Sequence, residues 1–196
     1  MAIEPTKDLP SKRPQGRPAA VLMLVRPLGP EAEPHLIFIR RTERVHTHKG
    51  QVSFPGGGFK PEDELLENTA LRETYEELGI HPSTLRVLGP LTPVDTVVSN
   101  FLIHPFVAVP LDPAAPIEYV PDGFEVASVL EIPLRHLIQP AARRYEEWVM
   151  QGQPRRVVFF NYQQTVIWGA TAFILQNFVK EIDAGKWHTL LENKKI

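Results

Sequence analysis

Residues 51–80, QVSFPGGGFKPEDELLENTALRETYEELGI, constrain this chain more than any other stretch, because they call for a strand, a glycine loop and one acidic helix in that order. Val52 to Phe54 read as the end of a strand that Pro55 and three glycines then break. Leu65, Leu66, Ala70, Leu71 and Leu78 recur at helical spacing until Gly79, a residue suited to a left-handed cap, stops the run. The pattern predicts a helix over residues 63–78. On that helix Glu73, Glu76 and Glu77 stand at i, i+3 and i+4, so their side chains project from one face. Like charges at this spacing cost an isolated helix roughly 0.2–0.5 kcal/mol per pair, a penalty that bound divalent cations reverse. Donors that are all oxygen suit a hard cation, Mg2+ or Mn2+. Arg72 precedes the cluster and is placed to donate to Glu76, to Glu77 or to the glycine loop. Taken alone, these residues would read as a solvated helical face.

A length of 196 residues is that of one domain with extensions, ample for a core. Residues 1–18, MAIEPTKDLPSKRPQGRP, are polar and proline-rich with no hydrophobic signal core. They are expected to form a tail or a strap on the surface, and residues 19–196 a single domain. A net charge of −2 and a pI near 6.4 give no basic field for a nucleic-acid backbone. No apolar run approaches the eighteen or so residues of a membrane span, so neither nucleic acid nor membrane is expected as a partner. The absence of cysteine excludes disulfides, thiolate metal sites and a thiol nucleophile. It fits a reducing interior, which makes the cytoplasm the default location.

Two strands are expected at residues 19–25 (AAVLMLV) and 35–41 (HLIFIRR), joined by a turn region rich in proline and glycine. Further strand-like runs lie at residues 85–88, 102–109, 126–132 and 155–160. Residues 168–184 carry Phe173, Ile174, Phe178 and Ile182 at the spacing of an amphipathic helix. Periodicity therefore indicates a mixed α/β fold.

The spacing within the acidic segment is specific. Gly58, five residues, Glu64, seven residues, Arg72-Glu73, then Glu76-Glu77, one residue, Gly79 and apolar Ile80 reproduce the signature of the Nudix hydrolases, which this chain resembles. Thr74 departs, standing where the family has an aliphatic residue. The resemblance implies an α/β/α sandwich with a mixed sheet. Residues 41–57, through His48, Gly50, Gln51, Val52 and Ser53, further resemble the extra motif of the coenzyme A pyrophosphatase branch. The glycine loop is one residue longer than the commonest Nudix form, which also suits that branch and leaves open whether Gly57 or Gly58 turns its carbonyl towards a metal. Segments at 125–134 and 167–172 extend the likeness over most of residues 19–184. Asn100, after Ser99, stands where a glycine is frequent, and Val45-His46 where the branch tends to have Leu-Arg.

What the resemblance implies is hydrolysis of a nucleoside-linked pyrophosphate, most specifically coenzyme A to 3′,5′-ADP and 4′-phosphopantetheine. Glu76 and Glu77 would be metal ligands, Glu73 a ligand or the general base, and Arg72 an orienting catalytic group. Gly57, Gly58, Glu64 and Glu125 are further metal-site candidates, the two acids being equally readable as surface groups. Arg40, Arg41, Arg44, His46, His48, Lys49 and Gln51 are candidates for binding substrate, with His46 a weaker phosphate ligand than the branch's arginine. The branch is often dimeric, so a homodimer is among the expectations. Two alternatives stand beside this reading: a Nudix hydrolase of ADP-ribose, nucleotide sugars, dinucleotides or dNTPs, and a non-catalytic nucleotide-binding module.

Overall fold

The computed structural model describes residues 16–29, 31–44, 49–96, 99–150 and 152–191. Its organising strand is β1 (Arg17–Leu28), whose apolar run is buried on both faces. Ala20, Leu22 and Leu24 point to one face of the sheet, Met23 and Val25 to the other. β2 (Glu33–Arg41) runs antiparallel to the end of β1, from Val25 against Leu36 to Leu28 against Glu33. β3 (Val52–Ser53) pairs with Ile39 and Arg40 of β2, and β4 (Gly56–Gly58) with Ala19, Ala20 and Val21 of β1.

The helix α1 (Leu66–Leu78) follows, then β5 (Leu85–Pro90), β6 (Val94–Asp95) and β7 (Phe101–Pro110). β7 runs parallel to β1, while the other pairings are antiparallel, which makes the sheet mixed. β8 (Val126–Pro133) lies along the other side of β2 and leads into the single turn α2 (Leu134–Leu137). β9 (Arg143–Met150), β10 (Gln153–Tyr162) and β11 (Thr165–Ile167) form a separate antiparallel ribbon, followed by α3 (Gly169–Asp183) and a 3₁₀ turn over His188–Leu191.

The two long helices cover opposite faces. Ala70 and Leu78 of α1 pack with Leu22, Leu24, Ile37, Ile39 and Phe106, whereas Leu175, Phe178, Val179 and Ile182 of α3 pack with Met23, Val25, Phe38 and Val107. This is the expected α/β/α sandwich with a mixed sheet. Each fully buried side chain of this kind contributes about 1.5–3 kcal/mol, so the sheet position is over-determined from both sides. No helix among the described residues is long and apolar enough to cross a membrane.

Three local differences from the sequence reading have physical causes. The three glycines do not merely break a strand; they are one, β4. The acidic helix starts at Leu66 rather than Asp63, because Asp63 closes a 3₁₀ turn over Pro61–Asp63 and Glu64 then adopts φ 62°, outside the helical region. The ribbon strand β9, RRYEEWVM, carries too many charges to show an alternating apolar pattern. Residues 1–15 of the expected tail lie outside the described ones, and Arg17 and Pro18 already pair with Phe101 and Leu102 as part of β1. Asn100 takes φ 53°, a left-handed conformation that glycine adopts freely and asparagine tolerates.

Candidate active site

Two of the three glycines of the loop lie hard against their neighbours, whereas Gly58 faces open space. A Cβ on Gly56 would stand 2.3 Å from the Ala20 carbonyl oxygen and 2.7 Å from the Val21 Cα; one on Gly57 would stand 2.5–2.7 Å from the carboxylate of Glu73. The missing Cβ atoms let β4 sit between β1 and α1. Its alternation, with Gly57 opposite Ala20, directs the Gly57 amide and carbonyl into the sheet and those of Gly56 and Gly58 towards the helix. There the Gly56 N–H donates to Glu77 Oε2 at 2.9 Å, and the Gly58 carbonyl accepts from Arg72 Nη2 at 3.2 Å. Of the two glycines left open by the spacing, Gly58 has the outward carbonyl.

Arg72 ties the loop to the helix. Its Nε and Nη2 donate to the two oxygens of Asp63 at 2.6 and 3.0 Å, and its Nη1 donates to Glu73 at 2.7 Å and to Glu76 at 3.0 Å. Asp63 is buried and also accepts from the Lys60 N–H at 2.9 Å and the Thr69 hydroxyl at 2.8 Å. The guanidinium of Arg72, with these two further donors, holds the Asp63 carboxyl well below the usual carboxylate range against the opposing effect of burial. Arg72 is raised above its already high value mainly by the same bond. Thr74, in the position where the family has an aliphatic residue, is buried with its hydroxyl donating to the Ala70 carbonyl at 2.7 Å.

The three glutamates differ sharply in environment. Glu76 is exposed and Glu73 half-buried, whereas Glu77 is only 5% exposed. Burial pushes the Glu77 carboxyl up to about 8, the Gly56 N–H and Arg41 lower it, and the negative charges of Glu73 and Glu125 raise it further. Arg41 brings Glu125 into this neighbourhood: its Nη2 donates to Glu125 Oε2 at 2.9 Å while its Nη1 stands 3.9 Å from Glu77 Oε1.

Not every candidate joins the cluster. Arg40 turns the other way, donating from Nη2 to the Thr165 hydroxyl at 3.1 Å and from Nη1 to the Gly50 carbonyl at 3.4 Å. Arg44 and Lys49 are exposed, and their side chains make no hydrogen bond or ion pair among the described residues. Gln51 offers its backbone carbonyl to the Arg41 N–H at 2.9 Å. His46 and His48 lie outside the described residues. Glu64 is exposed and bonded to nothing in the cluster; its neighbour Asp63 is the carboxylate that reaches Arg72. Asp63 is the residue that sequence reasoning missed. The signal was the Lys60-Pro-Glu-Asp run, in which an acid three residues on closes back on the Lys60 amide.

As they stand, no three acidic or imidazole groups among the described residues converge tightly enough to hold an ion. Arg72 draws Glu73 and Glu76 to itself, and Glu77 is turned to the Gly56 amide. The donor chemistry nonetheless fits a hard divalent cation: all the groups are oxygen, and Glu77 is buried amid like charge that a cation would offset.

A family model described as NUDIX domain matches residues 16–151. An uncharacterized Nudix hydrolase NudL of Photorhabdus laumondii is 36% identical over 166 residues, covering 85% of this chain and 85% of that protein. An uncharacterized Nudix hydrolase NudL of Pectobacterium atrosepticum is 38% identical over 176 residues, covering 88% of each. Among solved structures, the Nudix hydrolase RenU of M. smegmatis superposes with a TM-score of 0.57 at 18% identity over 86% of each chain, a likeness of fold.

Proposed function

This chain belongs to the NUDIX family and is a Nudix hydrolase, and we propose that it cleaves the diphosphate of coenzyme A to 3′,5′-ADP and 4′-phosphopantetheine. The observation that carries the hydrolytic part is the pressing of Glu73 and Glu77 onto the glycine loop, with Glu76 held beside Glu73 by Arg72 and Glu77 buried amid like charge. The choice of coenzyme A rests on the likeness of residues 41–57 to the coenzyme A pyrophosphatase branch. Nudix hydrolases generally use divalent metal ions. Mg2+ or Mn2+ held by Glu76 and Glu77, with the Gly58 carbonyl and Glu125 as further donors, would neutralise phosphate charge and acidify a water molecule.

The chain's own groups do the rest. Glu73, half-buried against Gly57, is the candidate to accept the proton as water oxygen bonds to phosphorus and the bridging P–O bond breaks towards the departing phosphate. Arg72, fixed by Asp63, orients Glu73 and Glu76. Arg41 screens Glu77 from Glu125. Arg44 and Lys49 are exposed and without protein partners among the described residues, which supports reading them as the cations that meet the 3′-phosphate.

The test is incubation with Mg2+ and a panel of coenzyme A, ADP-ribose, nucleotide sugars, dinucleotides and dNTPs, with the products identified. Coenzyme A should have the highest kcat/KM and yield 3′,5′-ADP. Equal or faster cleavage of ADP-ribose would overturn the choice of substrate and leave the hydrolase chemistry standing, and no turnover of any compound would favour a binding module.

A further inference from the structure

β8 pairs with β2 along one side only, with Val129 against Ile39, Leu130 against Phe38 and Glu131 against Ile37. Its other side meets no strand among the described residues, so alternate N–H and C=O groups face outward. Beside that edge runs an open groove of about 380 Å³, lined by Val129, Leu130, Glu131 and two tyrosines, Tyr119 and Tyr162. The tyrosines belong to opposite faces: Tyr119 packs with the cluster under α1, Tyr162 with the cluster under α3. They bracket the strand edge from both sides.

Both rings are held in place. The Tyr119 hydroxyl donates to Glu131 Oε1 at 2.6 Å and accepts from Arg26 Nη1 at 3.1 Å. Tyr162 stands edge-on to His136 with ring centroids 5.0 Å apart, and His136 Nε2 lies 2.8 Å from the Asn161 carbonyl. Two contacts connect β8 and the groove with segments that lead to the active site. Thr165 lines it and accepts from Arg40, which also reaches the Gly50 carbonyl before the glycine loop. At the start of β8, Val126 pairs with Arg41, the residue between Glu77 and Glu125.

We propose that this edge is the track for the pantetheine arm of the substrate, which lies along β8 as a short added strand and exchanges amide hydrogen bonds with its outward backbone groups. This rests on the reading of coenzyme A as substrate. Length agrees: the groove-lining residues Val129 to Ile132 rise about 3.3 Å each, roughly 10 Å, enough for the stretch of the extended arm that carries its two amides, while the Val126 N–H is taken by Asp122 Oδ1 at 2.9 Å. Charge agrees too. The ionised group lining the groove is Glu131, paired with Arg26 at 3.6 Å, so a neutral amide chain suits it and a second phosphate does not. Selection by this route favours a diphosphate whose second half is a neutral amide chain over one ending in a sugar or a nucleotide.

The experiment uses the full chain, 15N-labelled and free of metal, titrated with pantetheine, which carries both amides and no phosphate, and separately with 3′,5′-ADP. Pantetheine should shift the amide resonances of residues 128–131 saturably, and 3′,5′-ADP should leave them in place. Tyr162→Ala should weaken pantetheine binding about tenfold, with the affinity for 3′,5′-ADP unchanged. Should Tyr162→Ala fail to fold, Gln163→Gly serves, since Gln163 lines the groove at φ 51°, where glycine is at ease. Unmoved resonances at 128–131 in the wild type would overturn the track, even for an enzyme that prefers coenzyme A. Shifted resonances in an enzyme that prefers ADP-ribose would support the track and count against the substrate reading.

Discussion

Between Gly56 and Glu77, the glycine loop, Asp63, Arg72 and the three glutamates are tied to one another by hydrogen bonds almost without help from the rest of the chain. The groove beside β8 is built the opposite way, from Arg26, Tyr119, Glu131, Tyr162 and Thr165, residues that only the folded sheet brings together. The first region concentrates charge and the second is nearly neutral. Chemistry that depends on a fixed constellation is well served by one loop and one helix, whose spacing is set by local geometry. Recognition of a long flexible substrate needs a surface about as long as the substrate, and a surface of that length draws on several elements.

The comparison breaks most readily at the acidic cluster, where Glu76→Gln or Glu77→Gln should lower kcat on the order of a thousandfold, about 4 kcal/mol of transition-state stabilisation. The two variants should part company in metal-free thermal melts. Glu77 is buried amid like charge, so Glu77→Gln should raise Tm, whereas Glu76 is exposed and Glu76→Gln should leave it nearly unchanged. Near-normal turnover of either variant in saturating Mg2+ would remove that residue from the metal set.

A smaller effect follows from pH. In the metal-free fold Glu77 keeps its proton up to about 8, whereas in the unfolded chain it releases it near 4.5. Between those values the folded form binds more protons, so this group's contribution to stability falls as pH rises, at up to about 1.4 kcal/mol per pH unit. Asp63 acts in reverse: its carboxyl is held below the ordinary 3.8, so the stability it contributes is present above that value and is lost progressively as pH falls from there through the lower value of the fold. Urea unfolding in EDTA should therefore show wild type losing stability from pH 5 to 8 while Glu77→Gln loses less. Parallel slopes for the two proteins would mean that Glu77 is ionised in the fold.

The same contrast decides what was legible in advance. Glu73, Glu76, Glu77 and Arg72 were readable because i, i+3 and i+4 spacing leaves side chains no choice of face. The two helices on opposite faces followed from apolar periodicity, and the α/β/α order came from the family resemblance. β4 was not legible, since a glycine run reads as a break until the Ala20 carbonyl and the Glu73 carboxylate are seen where its Cβ atoms would be. Arg40 and Arg41 are neighbours in the sequence, yet one reaches Thr165 and the other Glu77, a divergence at a register shift in the β2–β8 pairing that no spacing rule encodes. Asp63 lay one position from Glu64, and the turn that separates their fates depends on the positive φ of Glu64.

The smallest effect expected concerns those basic residues, and it sharpens the division between the charged site and its surroundings. Arg40 and Arg41 are engaged inside the protein, so replacing either should disturb the site for every diphosphate alike. Arg44 and Lys49 have no such duty among the described residues, so their positive charge is available to a ligand. A charge-assisted contact to the 3′-phosphate contributes about 1.5–3 kcal/mol, and exposure to water brings it towards the low end. Arg44→Ala or Lys49→Ala should therefore reduce kcat/KM for coenzyme A about tenfold relative to dephospho-coenzyme A, which lacks that phosphate, with stability unchanged. The ratio is what matters, because a general loss of activity would touch both substrates equally. If both variants kept the wild-type preference while Arg41→Ala alone abolished it, the 3′-phosphate would have to sit against the acidic cluster, with Arg41 released from Glu125 to meet it.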